Sequence, residues 1–300
     1  MTSLRLCENL RAFGYAPFYY ALSLGYFEQA GLDITLITSP DASQTGRMLL
    51  DGKADVSWGG PMRVMLHHET DRDCPLVCFA QIVARDPFVL LGRSPRPRFR
   101  FADRKDLRVA VATEVPTPWL MLQDDLARAG WDLAQLRRVL TATMAEGAAA
   151  LLAGDADVAQ VFEPFVDDLC TAGCHVWHRF SVRGDIAYTT FYAHRDFVTS
   201  QRDACRRLVR GMAKSQASFH SASPEEAATA IASFFPDWPV PKLVRMLAAY
   251  RQSDLWAKTP DLPLSAFLRL KAALVSGGLI THDFPFDLIV DSGLSRTDPC

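Results

Sequence analysis

Aromatic, hydroxyl-bearing and glycine residues cluster in the segments that follow predicted strands, and these groups suit solute binding better than catalysis. Aromatic rings there could stack on a planar solute, which is worth about 0.5–1.5 kcal/mol beyond burial. Hydroxyl groups and backbone N–H groups at helix starts could donate hydrogen bonds to an anion or a carbonyl. The candidate ligand-binding residues are Phe13, Tyr15, Pro40, Ser43, Trp58, Gly59, Gly60, Arg85, Thr113, Thr117, Trp119, Phe162, Glu163 and Tyr188.

These candidates also have structural alternatives, which the residues alone leave open. The rings could pack in the core, and Ser43 and Thr117 could cap helices. Glu163 lies among apolar neighbours, where a carboxylate is rarely left unpaired. It could accept N–H bonds from an amino-substituted ring, or it could pair with Arg85. Arg85 could hold a carboxylate or sulfonate through two parallel hydrogen bonds, or it could form a salt bridge at the surface or at a hinge.

No sequence signature of catalysis or cofactor binding occurs in the chain. There is no P-loop, no G-x-G-x-x-G and no Ser/His/Asp order, so we assign no catalytic residue, metal or cofactor. His67 and His68 are adjacent and point in different directions on a helix, so they cannot form an i, i+4 metal pair. The seven cysteines show no metal or thioredoxin spacing, and we expect them to be small buried residues.

A segment made of an apolar pair, a glycine, Ala-Asp and valine occurs twice, at residues 49–56 and 151–158. Each copy is typical of a helix end, a turn and a short buried strand, and the wide separation predicts two similar lobes. Strands that alternate with helices predict an α/β fold, with a mostly parallel sheet flanked by helices in each lobe. Ligands of such sheets bind beyond the carboxyl ends of the strands, which selects residues 13–16, 39–43 and 58–61 in lobe one.

The 300 residues, 49% of them hydrophobic, suffice for two domains of ~100–200 residues each. We predict lobe one at residues 1–92 plus 190–300 and lobe two at 93–189, with the apolar runs 88–92 and 188–193 as two crossovers. A net charge of −2 argues against a nucleic-acid partner. No apolar run reaches the ~20 residues of a membrane span. The N-terminus shows no signal-peptide pattern, which predicts a periplasmic location if a leader was removed and a cytoplasmic one otherwise.

Residues 15–21 and 25–33, together with the Gly-x-Ala-Asp turns at 52–55 and 154–157, resemble the substrate-binding proteins of ABC importers for nitrate, taurine, alkanesulfonates and thiamine pyrimidines. The resemblance implies a periplasmic-binding-protein type II fold with a double hinge crossover, and ABC-transporter membrane subunits as partners. Thiamine pyrimidine synthases of this group use a sacrificial histidine and a cysteine-rich iron motif, and this chain has no such cysteine cluster. Arg63 stands where a lysine would have to form a Schiff base with pyridoxal phosphate.

We therefore expect a solute-binding protein that is not an enzyme and that closes like a hinge around its ligand. The ligand would be a small polar or aromatic or heterocyclic molecule, such as a thiamine pyrimidine precursor, a sulfonate or an aromatic carboxylate. It would be captured between the two lobes for an ABC importer. Two alternatives remain. One is a pyrimidine synthase or lyase that uses Glu163 with His67 or Arg85 as its acid/base pair, and the other is a cytoplasmic ligand sensor.

Overall fold

A computed structural model describes residues 1–103, 106–113 and 116–295. The chain forms two compact units. Lobe one contains Met1–Arg85, Asp185–Ala272 and the segment from Ile280 onward, and lobe two contains Asp86–Gly184 and Ala273–Leu279. None of the helices in the described residues is long and apolar enough to cross a membrane.

Strands and helices alternate through most of both lobes. The strands are β1 (Thr2–Glu8), β2 (Leu32–Thr38), β3 (Val56–Gly59), β4 (Leu76–Val83), β5 (Val89–Gly92), β6 (Arg108–Ala112), β7 (Arg137–Thr141), β8 (Val158–Val161), β9 (His175–Arg179) and β10 (Thr189–His194). The helices are α1 (Ala16–Ser23), α2 (Tyr26–Gln29), α3 (Thr45–Leu50), α4 (Pro61–Thr70), α5 (Pro116–Arg128), α6 (Met144–Ala153), α7 (Phe165–Thr171), α8 (Arg195–Ser200), α9 (Arg202–Ser221), α10 (Pro224–Ile231), α11 (Val240–Gln252), α12 (Leu264–Ser276), α13 (Phe286–Ile289) and α14 (Ser292–Ser295).

The two sheets have the same topology, which confirms the two similar lobes predicted from the repeat. Lobe one has the strand order β2-β1-β3-β10-β4, and lobe two has the order β7-β6-β8-β5-β9. The first three strands of each sheet are parallel to one another. The fourth strand, β10 in lobe one and β5 in lobe two, runs antiparallel to both of its neighbours. Each sheet is thus mostly parallel.

The repeated Gly-x-Ala-Asp turn forms the same hydrogen-bonded clamp in both lobes. The Asp55 carboxylate accepts from the backbone N–H of Arg5 at 2.7 Å and from its Nη2 at 2.6 Å. Asp157 accepts the equivalent bonds from Arg108 at 2.9 and 2.8 Å. Each arginine also donates to the carbonyl oxygen of its turn glycine at 2.8 Å. The repeat therefore fastens a helix end to the start of two strands, which is a scaffolding role.

The lobe boundaries differ from those predicted. The sequence predicts the apolar run 88–92 in lobe one, but β5 pairs with β8 and β9 and so belongs to lobe two. The return to lobe one begins at Asp185 and not at residue 190, because Ile186 donates its N–H to the carbonyl of Ala84 at 2.7 Å. Residues 273–279 were also expected in lobe one. They belong to lobe two, where Gly277 packs closely against Leu120.

Helix boundaries follow the local sequence signals in most places. The segment from Pro17 to Gln29 reads as one helix, but Gly25 adopts a φ of 65° and divides it into α1 and α2. Helix α10 begins with a capping box, in which Ser223 and Glu226 exchange both hydrogen bonds. The core of lobe one is continuous and aromatic-rich, and it joins α1, α9, α10 and α11 to the sheet.

Candidate ligand-binding site

The carboxyl ends of β1, β2 and β3 meet at one edge of the lobe-one sheet, where a ligand of a parallel sheet is expected. The Asn9 side chain, just after β1, donates its Nδ2–H to the Tyr15 hydroxyl at 3.1 Å. Tyr15 is partly exposed, and burial raises the pKa of its phenol. The hydroxyl therefore stays neutral near pH 7 and remains able to donate a hydrogen bond.

Gly59 and Gly60 connect β3 to α4 at this edge, and both allow close approach of neighbouring groups. A Cβ on Gly59 would lie 3.2 Å from the ring of Tyr192, and a Cβ on Gly60 would lie 3.2 Å from the carbonyl oxygen of Tyr188. Gly60 is the N-cap residue of α4, and no side chain caps this helix end. The positive end of the helix dipole is thus left for a ligand or solvent.

Arg63 follows two residues after Pro61, in the first turn of α4, and its side chain is partly buried. Among the described residues, its guanidinium has no hydrogen-bond acceptor and no ion-pair partner. Its charge acts on Tyr15 and Tyr192, where it opposes the rise in pKa that burial causes. Burial and the charge of Arg63 together lower the pKa of His67, one helical turn further on. A partly desolvated cation therefore stands at this edge beside neutral hydrogen-bonding groups.

The buried carboxylate at the end of β1 is engaged with protein donors. Glu8, the last residue of β1, has no exposed area and accepts from the Tyr19 hydroxyl at 2.8 Å and from the Thr38 hydroxyl at 2.6 Å. Arg11 adds an ion pair at 2.5 Å. Because Glu8 is already neutralised in this way, it does not compensate the charge of Arg63.

The structure places two predicted aromatic contacts in the core of lobe one. Trp58 is fully buried and stacks on Phe18 with ring centroids 4.2 Å apart. Phe13 is also fully buried and packs against Phe235 and Tyr250 at 5.5 and 6.1 Å. Core packing was the alternative role for these rings, and a ligand could touch either one only after neighbouring side chains move.

Three other predicted lobe-one residues are more exposed to solvent than Trp58 and Phe13. Tyr188 is partly exposed, and Pro40 and Ser43 are exposed. Ser43 does not cap α3, which begins at Thr45. Its hydroxyl donates instead to the Asp41 carboxylate within the preceding turn. These three residues lie in loops where a solute could reach them.

Arg85 forms the salt bridges that were the alternative to ligand binding. Its Nε lies 3.0 Å from the Asp185 carboxylate, and its Nη1 lies 3.3 Å from that of Asp254. The carbonyl of Ser253 accepts a further bond at 3.4 Å. The guanidinium is thus held by lobe-one partners that are distant in the sequence.

In lobe two, Glu163 follows β8 and is 2% exposed. Its carboxylate accepts the backbone N–H of Asp167 at 2.9 Å, in the first turn of α7. Phe162 is partly exposed and meets the edge of Phe88 at 4.9 Å. Glu163 therefore contributes to the start of α7, whatever else it contacts.

The remaining lobe-two candidates lie after β6. Thr113 is exposed, and its hydroxyl donates to the carbonyl of Thr141 at 3.3 Å. Thr117 lies within the first turn of α5, which begins at Pro116, so it is not the N-cap residue. The guanidinium carbon of Arg138 lies over the ring of Trp119, 4.1 Å from its centroid, and forms a cation–π contact.

Residues 12–227 match the sequence model of the family described as NMT1/THI5 like. The chain belongs to this family. The match confirms the resemblance seen in the residues around Tyr15 and in the two glycine turns.

This NMT1/THI5-like protein is similar in sequence to a binding protein and similar in fold to a binding protein and an enzyme. It is 21% identical over 99% of its length to YtlA of Bacillus subtilis (strain 168), provisionally named a binding protein, and covers 90% of that protein. The periplasmic aliphatic sulphonate binding protein SsuA of Escherichia coli aligns with a TM-score of 0.79 at 17% identity, over 98% of this chain and 99% of that one. The desulfurization enzyme DSZB aligns with a TM-score of 0.68 at 15% identity, over 98% and 97%. These structures confirm the periplasmic-binding-protein fold.

Two groups at the lobe-one edge were not predicted as ligand contacts. Asn9 lies in the loop after β1, and Arg63 was considered only because it replaces a lysine. The signal for Arg63 was its place in the turn that directly follows Gly59, Gly60 and Pro61 at the end of a buried strand.

Proposed function

We propose that this NMT1/THI5-like protein is a solute-binding protein whose ligand carries a sulfonate or carboxylate group, and that Arg63 binds this group. The proposal rests on the position of the Arg63 guanidinium. It is partly buried at the carboxyl edge of the lobe-one sheet, without an acceptor or acidic partner among the described residues. A buried charge without a partner is unfavourable, so a cation in this position calls for an anion.

The groups around Arg63 favour an anion over a neutral pyrimidine. Tyr15 offers a neutral hydroxyl, and the uncapped start of α4 offers the positive end of a helix dipole. His67 has a lowered pKa and is neutral near pH 7, so it can accept or donate a hydrogen bond without adding charge. Glu8 is neutralised by its own partners.

A guanidinium suits sulfonates and carboxylates because its planar fork forms two parallel hydrogen bonds to their oxygens. Hydrogen bonds to charged groups contribute about 1.5–3 kcal/mol, which corresponds to a loss of roughly tenfold or more when one is removed. The solute would then pass to the membrane subunits of an ABC importer, with the protein in the periplasm.

The test is a ligand screen followed by calorimetry. Thermal-shift measurements with aliphatic sulfonates, aromatic carboxylates and thiamine pyrimidines should show stabilisation by one of the anionic classes. For that ligand, Arg63→Gln should weaken binding at least tenfold, and Arg63→Lys should have a smaller effect because lysine keeps the charge but not the fork. Arg47→Gln is the matched control, since it removes a positive charge that also acts on His67 but is paired with Asp51 at 2.9 Å.

Two results would contradict the proposal. The first is tight binding of a neutral pyrimidine that Arg63→Gln leaves unchanged. The second is an equal loss of affinity in the Arg63 and Arg47 variants, which would point to general electrostatics.

An enzyme on the same fold is the second candidate, because the aligned DSZB is a desulfurization enzyme. Chromatography of the solute after incubation separates the two functions. A solute-binding protein returns its ligand unchanged, whereas an enzyme converts it with turnover.

A further inference from the structure

We infer that lobe two holds a separate anion site, for a phosphate- or sulfate-sized oxyanion, at the edge of its sheet opposite Thr113 and Glu163. A cavity of about 150 Å³ lies at the amino-terminal ends of β6 and β8. It is lined by Arg93, Ser94, Arg96, Leu107, Asp157 and Trp177. Residues 93–100, which supply three of these lining residues, are rich in arginine and proline.

The floor of this cavity is a rigidly held tryptophan. The Trp177 indole lies flat against Gly92, where a Cβ would come within 2.3 Å of its ring. Its Nε1–H donates to the carbonyl of Ser94 at 2.7 Å, and the ring of Phe99 packs on it at 5.2 Å. Because glycine at position 92 allows this approach, the indole provides a fixed platform.

Arg96 stacks on this platform and has no ion-pair partner in the part of the chain that the structure describes. Its guanidinium carbon lies 4.9 Å from the centroid of the Trp177 ring. Its Nε is buried, and within the described ranges this atom has no acceptor. An unsatisfied buried donor is unfavourable, and an anion in the cavity would satisfy the guanidinium. Stacking leaves the in-plane N–H groups of an arginine available for two-point binding of an oxyanion.

The second arginine is positioned by carbonyl groups and not by an acid. Nη1 of Arg93 donates to the carbonyls of Leu151 at 2.6 Å and of Ala156 at 2.7 Å. These bonds fix the side chain without neutralising its charge, which acts at longer range on Asp157 and helps to lower the pKa of that carboxyl. The carboxylate in the lining, Asp157, is neutralised by Arg108 at 2.8 Å. The cavity therefore carries a net positive charge on preorganised side chains.

Equilibrium dialysis with radiolabelled inorganic phosphate, at fixed ionic strength in chloride, tests the inference. Wild-type protein should bind about one phosphate per chain, and sulfate should compete. Arg96→Gln should lower the affinity at least tenfold. Arg98→Gln, which removes an exposed charge two residues away, should bind as wild type does.

Three outcomes would overturn the inference. They are the absence of saturable binding in the wild type, equal binding by Arg96→Gln, and loss of binding in Arg63→Gln alone, which would place the oxyanion in lobe one. Arg96→Gln should keep the wild-type circular dichroism and show at most a small drop in melting temperature in chloride, because it removes only the cation–π contact with Trp177 and no hydrogen bond of the buried Nε. A retained fold with lost phosphate binding is therefore a clear positive result.

Discussion

Arg183 should contribute more to the stability of lobe two than either of the acids it contacts. It forms ion pairs with Asp86 and Asp125, and its side chain is 10% exposed. The Asp86 side chain has no exposed area and also accepts the N–H of Phe88 at 2.9 Å. A single cation thus neutralises two carboxylates, one of them fully buried.

The expected loss of unfolding free energy depends on which charges each substitution leaves unpaired. Removing one member of a buried ion pair costs about 3–5 kcal/mol because the other charge is left unpaired. Asp86→Asn leaves Arg183 paired with Asp125, so we expect a loss near the lower limit, about 3 kcal/mol or less. Arg183→Met leaves two carboxylates together in a desolvated site, and the loss should approach about 5 kcal/mol at pH 7.5.

The pH dependence should distinguish the two variants. Burial already raises the pKa of Asp86, against the opposing effect of Arg183. Without Arg183 that pKa should rise further, so the folded state would bind a proton that the unfolded state releases above its ordinary pKa of about 3.9. The stability lost in Arg183→Met should therefore be partly regained as the pH falls from 7.5 to 5.5. Asp86→Asn has no carboxyl group at this position to titrate and should lack this recovery.

Urea unfolding at pH 7.5 and 5.5, followed by circular dichroism and tryptophan fluorescence, measures both effects. Lobe two contains Trp119, Trp131 and Trp177, which report on its unfolding. Equal losses in the two variants, or an Arg183→Met protein without recovery at pH 5.5, would refute this account of the buried pair.

Two further predictions concern lobe one. Gly46→Ala would place a Cβ 2.1 Å from Nε2 of His67, so we expect it to lower the free energy of unfolding in urea by about 1–3 kcal/mol. Adding His67→Ala should restore most of this stability. If it restores none, the loss does not come from this local clash. Hydrogen bonds from Thr281 and His282 lower the pKa of Glu69 to about 2. Thr281→Ala should therefore raise the pKa of Glu69 towards its usual value in an NMR titration. An unchanged pKa would show that the Thr281 hydroxyl is not its main cause.

The sequence predicted the two lobes and their mostly parallel sheets because the repeat records local chemistry. The helix end, the glycine turn and the buried strand are adjacent in the chain, so their order can be predicted from the local sequence. The direction of β5 and β10 was not predictable in this way. A short apolar run is compatible with either direction, and its partners are strands far away in the sequence.

The candidate site was harder to predict because side-chain burial and pairing depend on distant residues. Trp58 and Phe13 follow or flank strands, but their rings turn into the core. Arg85 forms a salt bridge with Asp254, which lies 169 positions away in the sequence. Arg63 stands out for the opposite reason, since a guanidinium without an acceptor among the described residues becomes visible only when its neighbours are known. The contribution of each candidate to ligand binding stays a prediction.

The antiparallel fourth strand of each sheet has a consequence for dividing the molecule. β10 lies between β3 and β4, and β5 lies between β8 and β9, so each half of the sequence supplies an internal strand to the other half's sheet. A cut within residues 93–100 would give two fragments that each expose an unpaired strand edge, a state prone to association. Neither fragment should fold well alone, whereas co-expression should allow them to complement one another. The protein is thus better suited to a split reporter than to truncation to a single lobe.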